Sequence, residues 1–171
     1  MAEAGFDIRP VARAEAAAWR ALRLEALKNH PIAFMLSYEE AVKHDLDFFT
    51  AGIPEPGGTD ILFGVYADGA LSGCAGFARE PGAKEKHKGV MWGVYLRPAL
   101  RGRGIGETMV VRLLEHARDH VALVRCSVTV ENASAADLYR RRGFVQYGIE
   151  PRSLRYEGRD YDEALLAISF D

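Results

Sequence analysis

Apolar positions along the chain follow two rhythms. In the first fifty residues they recur at roughly 3.6-residue intervals, the spacing of one helix face. Trp19, Leu22 and Ala26 fall on one such face, inside a run of alanine, leucine and arginine that favours helix over Arg13–Asn29. A short strand over Phe6–Arg9 precedes it, and His30-Pro31 ends it, because proline disfavours helix in the residue before it. Ser37 followed by Glu40 has capping-box spacing and predicts a second helix from Ser37 to about Thr50. Gly52–Asp60, with its glycines and prolines, reads as a loop.

The period then drops to two. Ile61–Ala67 and Leu71–Phe77 read as strands flanking Asp68-Gly69, a strong hairpin turn pair. After the polar loop Glu80–Lys86, the stretch His87–Leu96 alternates through Val90, Trp92, Val94 and Leu96, and Pro98 ends it. Gly104–Asp119 is a helix with Ile105, Met109, Leu113 and Ala117 on one stripe. A strand over Leu123–Val130 and a short helix over Ala133–Arg142, capped by Gly143, follow. Two last strands, Phe144–Arg155 and Tyr161–Phe170, are joined around Glu157-Gly158. The order predicts one α+β domain over residues 1–171 with a central, mostly antiparallel sheet.

Composition narrows the class. The 171 residues are 49% apolar and 27% charged, with a formal charge of −2, as in ordinary globular domains. The N-terminal MAEAGFDIRP carries acids and lacks a signal-peptide core, and no apolar run is long enough to span a membrane, so a cytoplasmic protein is expected. Cys74 and Cys126, both within strands, read as buried small residues and not as a disulfide framework. The near-zero charge argues against nucleic acid, and no RNA-binding aromatic motif or helix-turn-helix pattern is evident. That average hides an asymmetry. Residues 97–142 hold nine basic and five acidic side chains, whereas the segments on either side are acidic. A basic centre of this size suits one small polyanion.

The basic segment opens on the most informative motif, Leu96–Glu107, where a strand end runs through an arginine-rich glycine loop into a helix. Free N–H groups in the first helical turn make an anion site. Glycines let a bulky ligand approach the backbone, and Arg101 and Arg103 add charged donors. Neither the nucleotide-triphosphate P-loop nor the dinucleotide fingerprint fits the spacing of Gly102, Gly104 and Gly106.

Arg101-x-x-Gly104-x-Gly106 resembles the Q/R-x-x-G-x-G/A signature of GNAT acetyltransferases. Val130-Glu131-Asn132-Ala133-Ser134-Ala135-Ala136-Asp137-Leu138-Tyr139, then Gly143-Phe144, matches the family's V-x-N-x-x-A-x-x-L-Y-x-x-x-G-F pattern. The likeness is strong over Trp92–Tyr147, about a third of the chain. It implies a GNAT-like sheet, twisted and splayed at a cofactor slot, with helices on both faces. It also implies acetyl-CoA as acetyl donor and no metal. The pyrophosphate would lie on Arg101, Gly102, Arg103, Gly104, Ile105 and Gly106, and the pantetheine arm along Tyr95 and Leu96. Asn132 matches a cofactor-binding position, and Arg141 a basic position near the CoA phosphates, although Arg140 and Arg142 compete for that role.

Acetyl transfer needs a deprotonated amine, donors for the developing oxyanion and a proton for the departing thiolate. The resemblance gives the oxyanion to a backbone N–H near Leu96 and the thiolate proton to Tyr139. The strand before the loop holds no carboxylate, so the base is Glu39, Glu40, Asp162, Glu163 or a water.

The acceptor is less legible. His30–Glu40 resembles one branch of the family with P-x-A-F-x-S-S-x-E-E, but Met35-Leu36 are bulkier, either narrowing a pocket or packing the core. Phe34, Tyr38, Trp92 and Tyr95 line an apolar site or pack inside. Glu39, Glu40, Asp45 and Asp47 suit a cationic amine or form a solvated face. His116 and His120 have metal-pair spacing but lack the glutamate of a zinc-protease motif. The expectation is an N-acetyltransferase acting on a primary amine of a small molecule by direct attack in a ternary complex. A protein or peptide N-acetyltransferase and a non-catalytic acyl-CoA-binding module are the alternatives. Many relatives dimerise, which leaves a homodimer open.

Overall fold

The computed structural model of this protein describes residues 5–170. Met1–Ala4, which begin the N-terminal stretch read above, lie outside the described residues. Strand β1 (Phe6–Pro10) leads through a 3₁₀ turn into α1 (Ala16–Asn29), then α2 (Tyr38–Ala41) and α3 (Leu46–Ala51). Strands β2 (Ile61–Ala67), β3 (Ala70–Arg79) and β4 (Lys88–Leu96) follow, then α4 (Ile105–Arg118), β5 (Leu123–Thr129), α5 (Ala133–Arg141), β6 (Val145–Tyr156) and β7 (Arg159–Ser169). The strands form one seven-stranded sheet in the order β1-β2-β3-β4-β5-β7-β6. All pairs are antiparallel except β4 with β5. Both hairpins turn as the sequence implies. Asp68 and Gly69 have φ of 49° and 78°, and Glu157 and Gly158 have 48° and 78°, matching the twist of the flanking strands.

The sheet buries a core on each face. On one side α4 supplies Ile105, Met109, Val110 and Leu113 against Val65, Phe77, Met91 and Val124, and Tyr139 of α5 joins them. On the other, α1 and α3 bring Trp19, Leu22, Leu27 and Phe49 against Leu62, Leu71, Cys74 and Tyr95. The α4 stripe expected from the i,i+4 pattern is the buried one.

The structure corrects one element. The helix expected from Ser37 to Thr50 is two short helices. Ser37 and Glu40 do form a capping box at the start of α2. Asp45 then caps a fresh start, its carboxylate accepting from the Phe48 N–H at 3.1 Å. Two N-caps eight residues apart in sequence compete, and the second interrupts the first helix.

The expected splay sits at the centre of the sheet. Strands β4 and β5 pair only over Lys88–Val90 and Leu123–Arg125. Beyond that point the β3–β4 register slips between Cys74 and Gly76, leaving Gly93 and Val94 as a bulge. Gly93 adopts φ of 63°, which a side chain would resist. The bulge increases local twist and turns β4 away from β5. On the neighbouring strand, Gly76 leaves room for a ring: a Cβ there would overlap the Trp92 indole. Trp92 in turn meets Trp19 edge-on at 6.3 Å.

Gly76→Ala is therefore expected to destabilise the fold by about 1–3 kcal/mol through overpacking. Thermal unfolding should show a Tm about 2–10 °C lower. An unchanged Tm would contradict this account of how the indole is seated.

Candidate functional site

The divergence of β4 and β5 opens a cleft of about 480 Å³. Its walls come from the end of β4, the glycine loop, the start of α4, the end of β5 and α5. Tyr95, Leu96, Arg101, Gly102, Gly104, Gly106, Asn132, Tyr139 and Arg141, all singled out in the sequence, line it. Two others do not. Arg103 is exposed and points elsewhere, and the Ile105 side chain is buried in the α4 core. Ile105 contributes only backbone to the loop, because its side chain begins the apolar stripe of α4.

Gly102 and Gly104 adopt φ of 72° and 76°, and nothing lies within 4 Å of a Cβ built on either. This left-handed pair turns the chain so that Gly104 caps α4 and the first-turn N–H groups face the cleft. An anionic ligand fits such a cradle. The arginines divide their work. Arg101 does not reach outward: its Nε donates to the Leu96 carbonyl at 2.8 Å, and its Nη2 donates to His30 Nε2 at 3.2 Å. Burial and the Arg101 charge hold His30 below its usual pKa, consistent with the neutral ring that this bond requires. Arg140 pairs with Asp137 and Gln146, and Arg142 with Glu107 at 2.9 Å. Of the three consecutive arginines, Arg141 is the one that lines the cleft.

At the other end of the cleft, Asn132 caps α5, its Oδ1 accepting from the Ala135 N–H at 3.3 Å. Its amide N–H₂ donors are left for a ligand. Tyr139 is only 6% exposed. Burial, with a smaller effect of Cys126, pushes its phenol well above the ordinary value, so it stays protonated at neutral pH. Cys126 also lines the cleft, and burial pushes its thiol up to about 12, leaving it unreactive.

The backbone of β4 supplies a donor. The Arg97 N–H donates to the Ser72 carbonyl on β3 at 3.0 Å. Successive N–H groups along a strand point to opposite edges. The Leu96 N–H therefore points away from β3, into the opening.

The four candidate carboxylates separate cleanly. Glu40 closes the α2 capping box with Ser37. Glu39 is exposed at the start of α2, away from the lining of the cleft. Asp162 accepts the Arg152 N–H at 2.7 Å on the outer hairpin. Glu163 is different: it is 7% exposed, accepts from the Ser153 hydroxyl at 2.8 Å, and pairs across the sheet with Thr129. Thr129 lines the cleft, is 1% exposed, and its Oγ1 has no hydrogen-bond partner. Ala164 and Leu166 of β7 face the α4 core, so alternation puts Glu163 on the α1 side of the sheet. Tyr139 lines the cleft from the α4 side, whereas Glu163 stands on the other face and adjoins the cleft only through its cross-strand neighbour Thr129.

The remaining readings find structural roles. The acidic stretch is spent on caps at Glu40 and Asp45, while Met35 is exposed and Leu36 packs on the α1 core. His116 Nε2 sits 2.8 Å from the Thr59 carbonyl and packs between Phe63 and Phe77. Sequence reasoning missed Glu25. Its carboxylate accepts Arg97 Nη2 at 3.0 Å and the Tyr95 hydroxyl at 3.0 Å, tying α1 to the strand end that carries the glycine loop. Burial alone would raise Glu25, but the Arg97 and Tyr95 hydrogen bonds outweigh it and hold the carboxyl below the usual range. No local motif marks this pair, which is 72 residues apart in sequence.

Residues 19–144 match the Acetyltransferase (GNAT) family. The chain is 36% identical to the N-alpha-acetyltransferase RimI of Mycobacterium tuberculosis over 101 residues, 57% of this chain and 60% of that protein. It thus spans about three-fifths of that curated relative. An acetyltransferase of the GNAT family from Streptococcus pneumoniae superposes with a TM-score of 0.85 at 18% identity, over 97% of this chain and 99% of that one. The putative acetyltransferase yncA from Salmonella typhimurium, solved with acetyl-CoA, gives 0.85 at 21% identity, over 97% and 94%.

Glu25→Gln is expected to cost about 1 kcal/mol at pH 7, a Tm drop of about 2–4 °C, because a charged hydrogen-bond acceptor is lost. Since the folded carboxyl titrates below its unfolded value, the stabilisation is present above the unfolded pKa of ~4.3. Thermal melts against pH should show the gap between wild type and variant closing as pH falls below that value. A gap that persisted in acid would exclude the ion pair as its source.

Proposed function

This chain belongs to the GNAT acetyltransferase family, whose acetyl donor is acetyl-CoA, and on that premise we propose that it transfers the acetyl group to a primary amine of a small acceptor by direct attack in a ternary complex. The observation that carries this reading is the disposition of groups at the β4–β5 opening. Buried Tyr139 lines the opening from one face of the sheet, the Leu96 N–H lies at the strand edge, and buried Glu163 stands on the other face beside Thr129, which lines the cleft. The glycine cradle, the Asn132 amide and Arg141 would hold the phosphates and the arm of the donor. Each is a donor or a cation, as the polyanionic part of that substrate requires.

The chain's groups divide the reaction as follows. Glu163 takes the proton of the incoming ammonium, directly or through a water held on Thr129 Oγ1. Ser153 and the surrounding strands fix its carboxylate. The Leu96 N–H stabilises the oxyanion that forms when the amine attacks the thioester carbon. Tyr139 gives its proton to the sulfur as the carbon–sulfur bond breaks. The amide and free thiol then leave, and exchange with solvent restores the protonation of Glu163 and Tyr139. No covalent enzyme intermediate is needed.

A peptide N-terminus is the second reading, favoured by the 36% identity to an N-alpha-acetyltransferase.

Tyr139→Phe should lower kcat by about 10²-fold, the usual scale of general-acid catalysis, with the KM for acetyl-CoA nearly unchanged. Full activity in that variant would remove the tyrosine from the mechanism. Glu163→Gln should lower kcat/KM by about 10²-fold at pH 7 and restore part of it at alkaline pH, where the acceptor arrives already deprotonated. A pH profile parallel to wild type would assign the proton to water. Arg141→Ala should raise the KM for acetyl-CoA by about tenfold, and Arg103→Ala should leave it unchanged. Equal effects of the two would overturn the assignment of Arg141.

A further inference from the structure

Arg23 is a charge with no counter-charge. It lies on α1, on the face of the sheet that also carries Glu163. Its Nη1 is buried and has no hydrogen-bond partner, and no carboxylate among the described residues pairs with it. A buried cation without a partner is costly, and proteins seldom keep one unless something satisfies it. Burial accordingly depresses its pKa. The Arg20 and Arg13 guanidiniums on the same flank find acceptors, the Val42 and Ile53 carbonyls.

Its surroundings lead to the cleft. The Arg23 guanidinium lies 4.6 Å over the Phe34 ring. Nη1 is 3.6 Å from where a Cβ on Gly93 would stand. Phe34 and Gly93 both line the cleft. The guanidinium thus stands beside two residues of the cleft wall, although Arg23 itself is not among the residues that line the cleft. Cys74, whose Sγ donates to the Gly93 carbonyl at 3.1 Å, holds this bulge in place. Burial pushes the Cys74 thiol up to about 12, so it offers no thiolate as a counter-charge.

This face carries a buried carboxylate, Glu163, and a half-buried guanidinium, Arg23, whose Nη1 is buried and unpartnered. We infer that the acceptor is an amino acid-type zwitterion, its ammonium directed to Glu163 and its carboxylate to Arg23 at the Gly93 bulge. This rests on the acetyl-transfer reading above and names the acceptor class for that same site. A guanidinium matches a carboxylate with two parallel N–H donors, which an ammonium cannot do. The apolar Phe34 and Trp92 walls then receive the acceptor's side chain. A peptide N-terminus, whose first carboxyl is an amide, would leave the guanidinium unpaired. Reaction stoichiometry is that of ordinary N-acetylation: acetyl-CoA and the amino acid give the N-acetyl amino acid and free CoA.

The test measures acetyl-CoA binding by calorimetry and thiol release with amino acids, each set beside its own decarboxylated amine (phenylalanine with phenethylamine, for example) and its peptide amide. Wild type should prefer the amino acid by roughly 10–100-fold in kcat/KM. Arg23→Gln should remove that preference, lowering turnover of the acid while leaving the decarboxylated amine within about threefold, and Arg23→Lys should restore part of it. If Arg23→Gln does not fold, the wild-type preference decides by itself. Equal use of acid and amine, a preference for the peptide amide, or parallel losses on both substrates in Arg23→Gln would overturn the inference. So would a protein that binds acetyl-CoA and accepts no amino acid. Failure to bind acetyl-CoA would instead overturn the underlying acetyl-transfer reading.

Discussion

Two central strands stop pairing halfway along their length, and the site exists because of it. Parallel β4 and β5 share only the register from Lys88–Leu123 to Val90–Arg125. A parallel pair broken this early leaves backbone donors and acceptors without strand partners, a cost that sheets ordinarily avoid. Here the bulge at Gly93 enforces the break from the β3 side, and the strand edge it exposes faces a cleft where a substrate can complete the hydrogen bonding. The Leu96 N–H is the most consequential of these freed groups.

The opening joins two differently built environments. On the α4 side it is dry and apolar, so Tyr139 is held protonated by burial and Cys126 is quenched. On the α1 side, among apolar neighbours, lie two buried polar residues, Thr129 and Glu163, and the buried Nη1 of Arg23. A protonated phenol on one face and a carboxylate on the other would suit the proposed reaction, which takes a proton from the incoming group and gives one to the departing group. The sheet between them keeps the two protons apart.

Ion pairs around the site chiefly fix its parts. Arg101 and Arg97 both lie in the segment where an anion was expected, yet both turn inward, to the Leu96 carbonyl and to Glu25. They hold the strand end and the loop in register with α1. In the proposed mode of binding, anion contact is left to backbone N–H groups and to Arg141, which lines the cleft. Backbone donors on a rigid loop lose less freedom on binding than free arginine side chains would.

Much of this was legible in the chain alone. The α4 stripe, both positive-φ hairpins and the paired motifs around Gly104 and Tyr139 are local signals, since spacing within one element dictates its exposed and buried faces. The same holds for the Ser37 capping box. The break between α2 and α3 was less legible, because two competing caps must be weighed against each other. Glu163 was one of four carboxylates the sequence left open, and Thr129, Glu25 and Arg23 lay beyond sequence reasoning. Their importance comes from burial and from neighbours on other strands, as when Thr129 meets Glu163 across the sheet and Glu25 meets Arg97 across the cleft wall. Sequence determined the elements, the glycine cradle and the tyrosine of α5 that lines the cleft, because these depend on adjacent residues. Only the tertiary structure decided which carboxylate is buried beside the opening and which cation lacks a partner, because desolvation and pairing are properties of the packed chain.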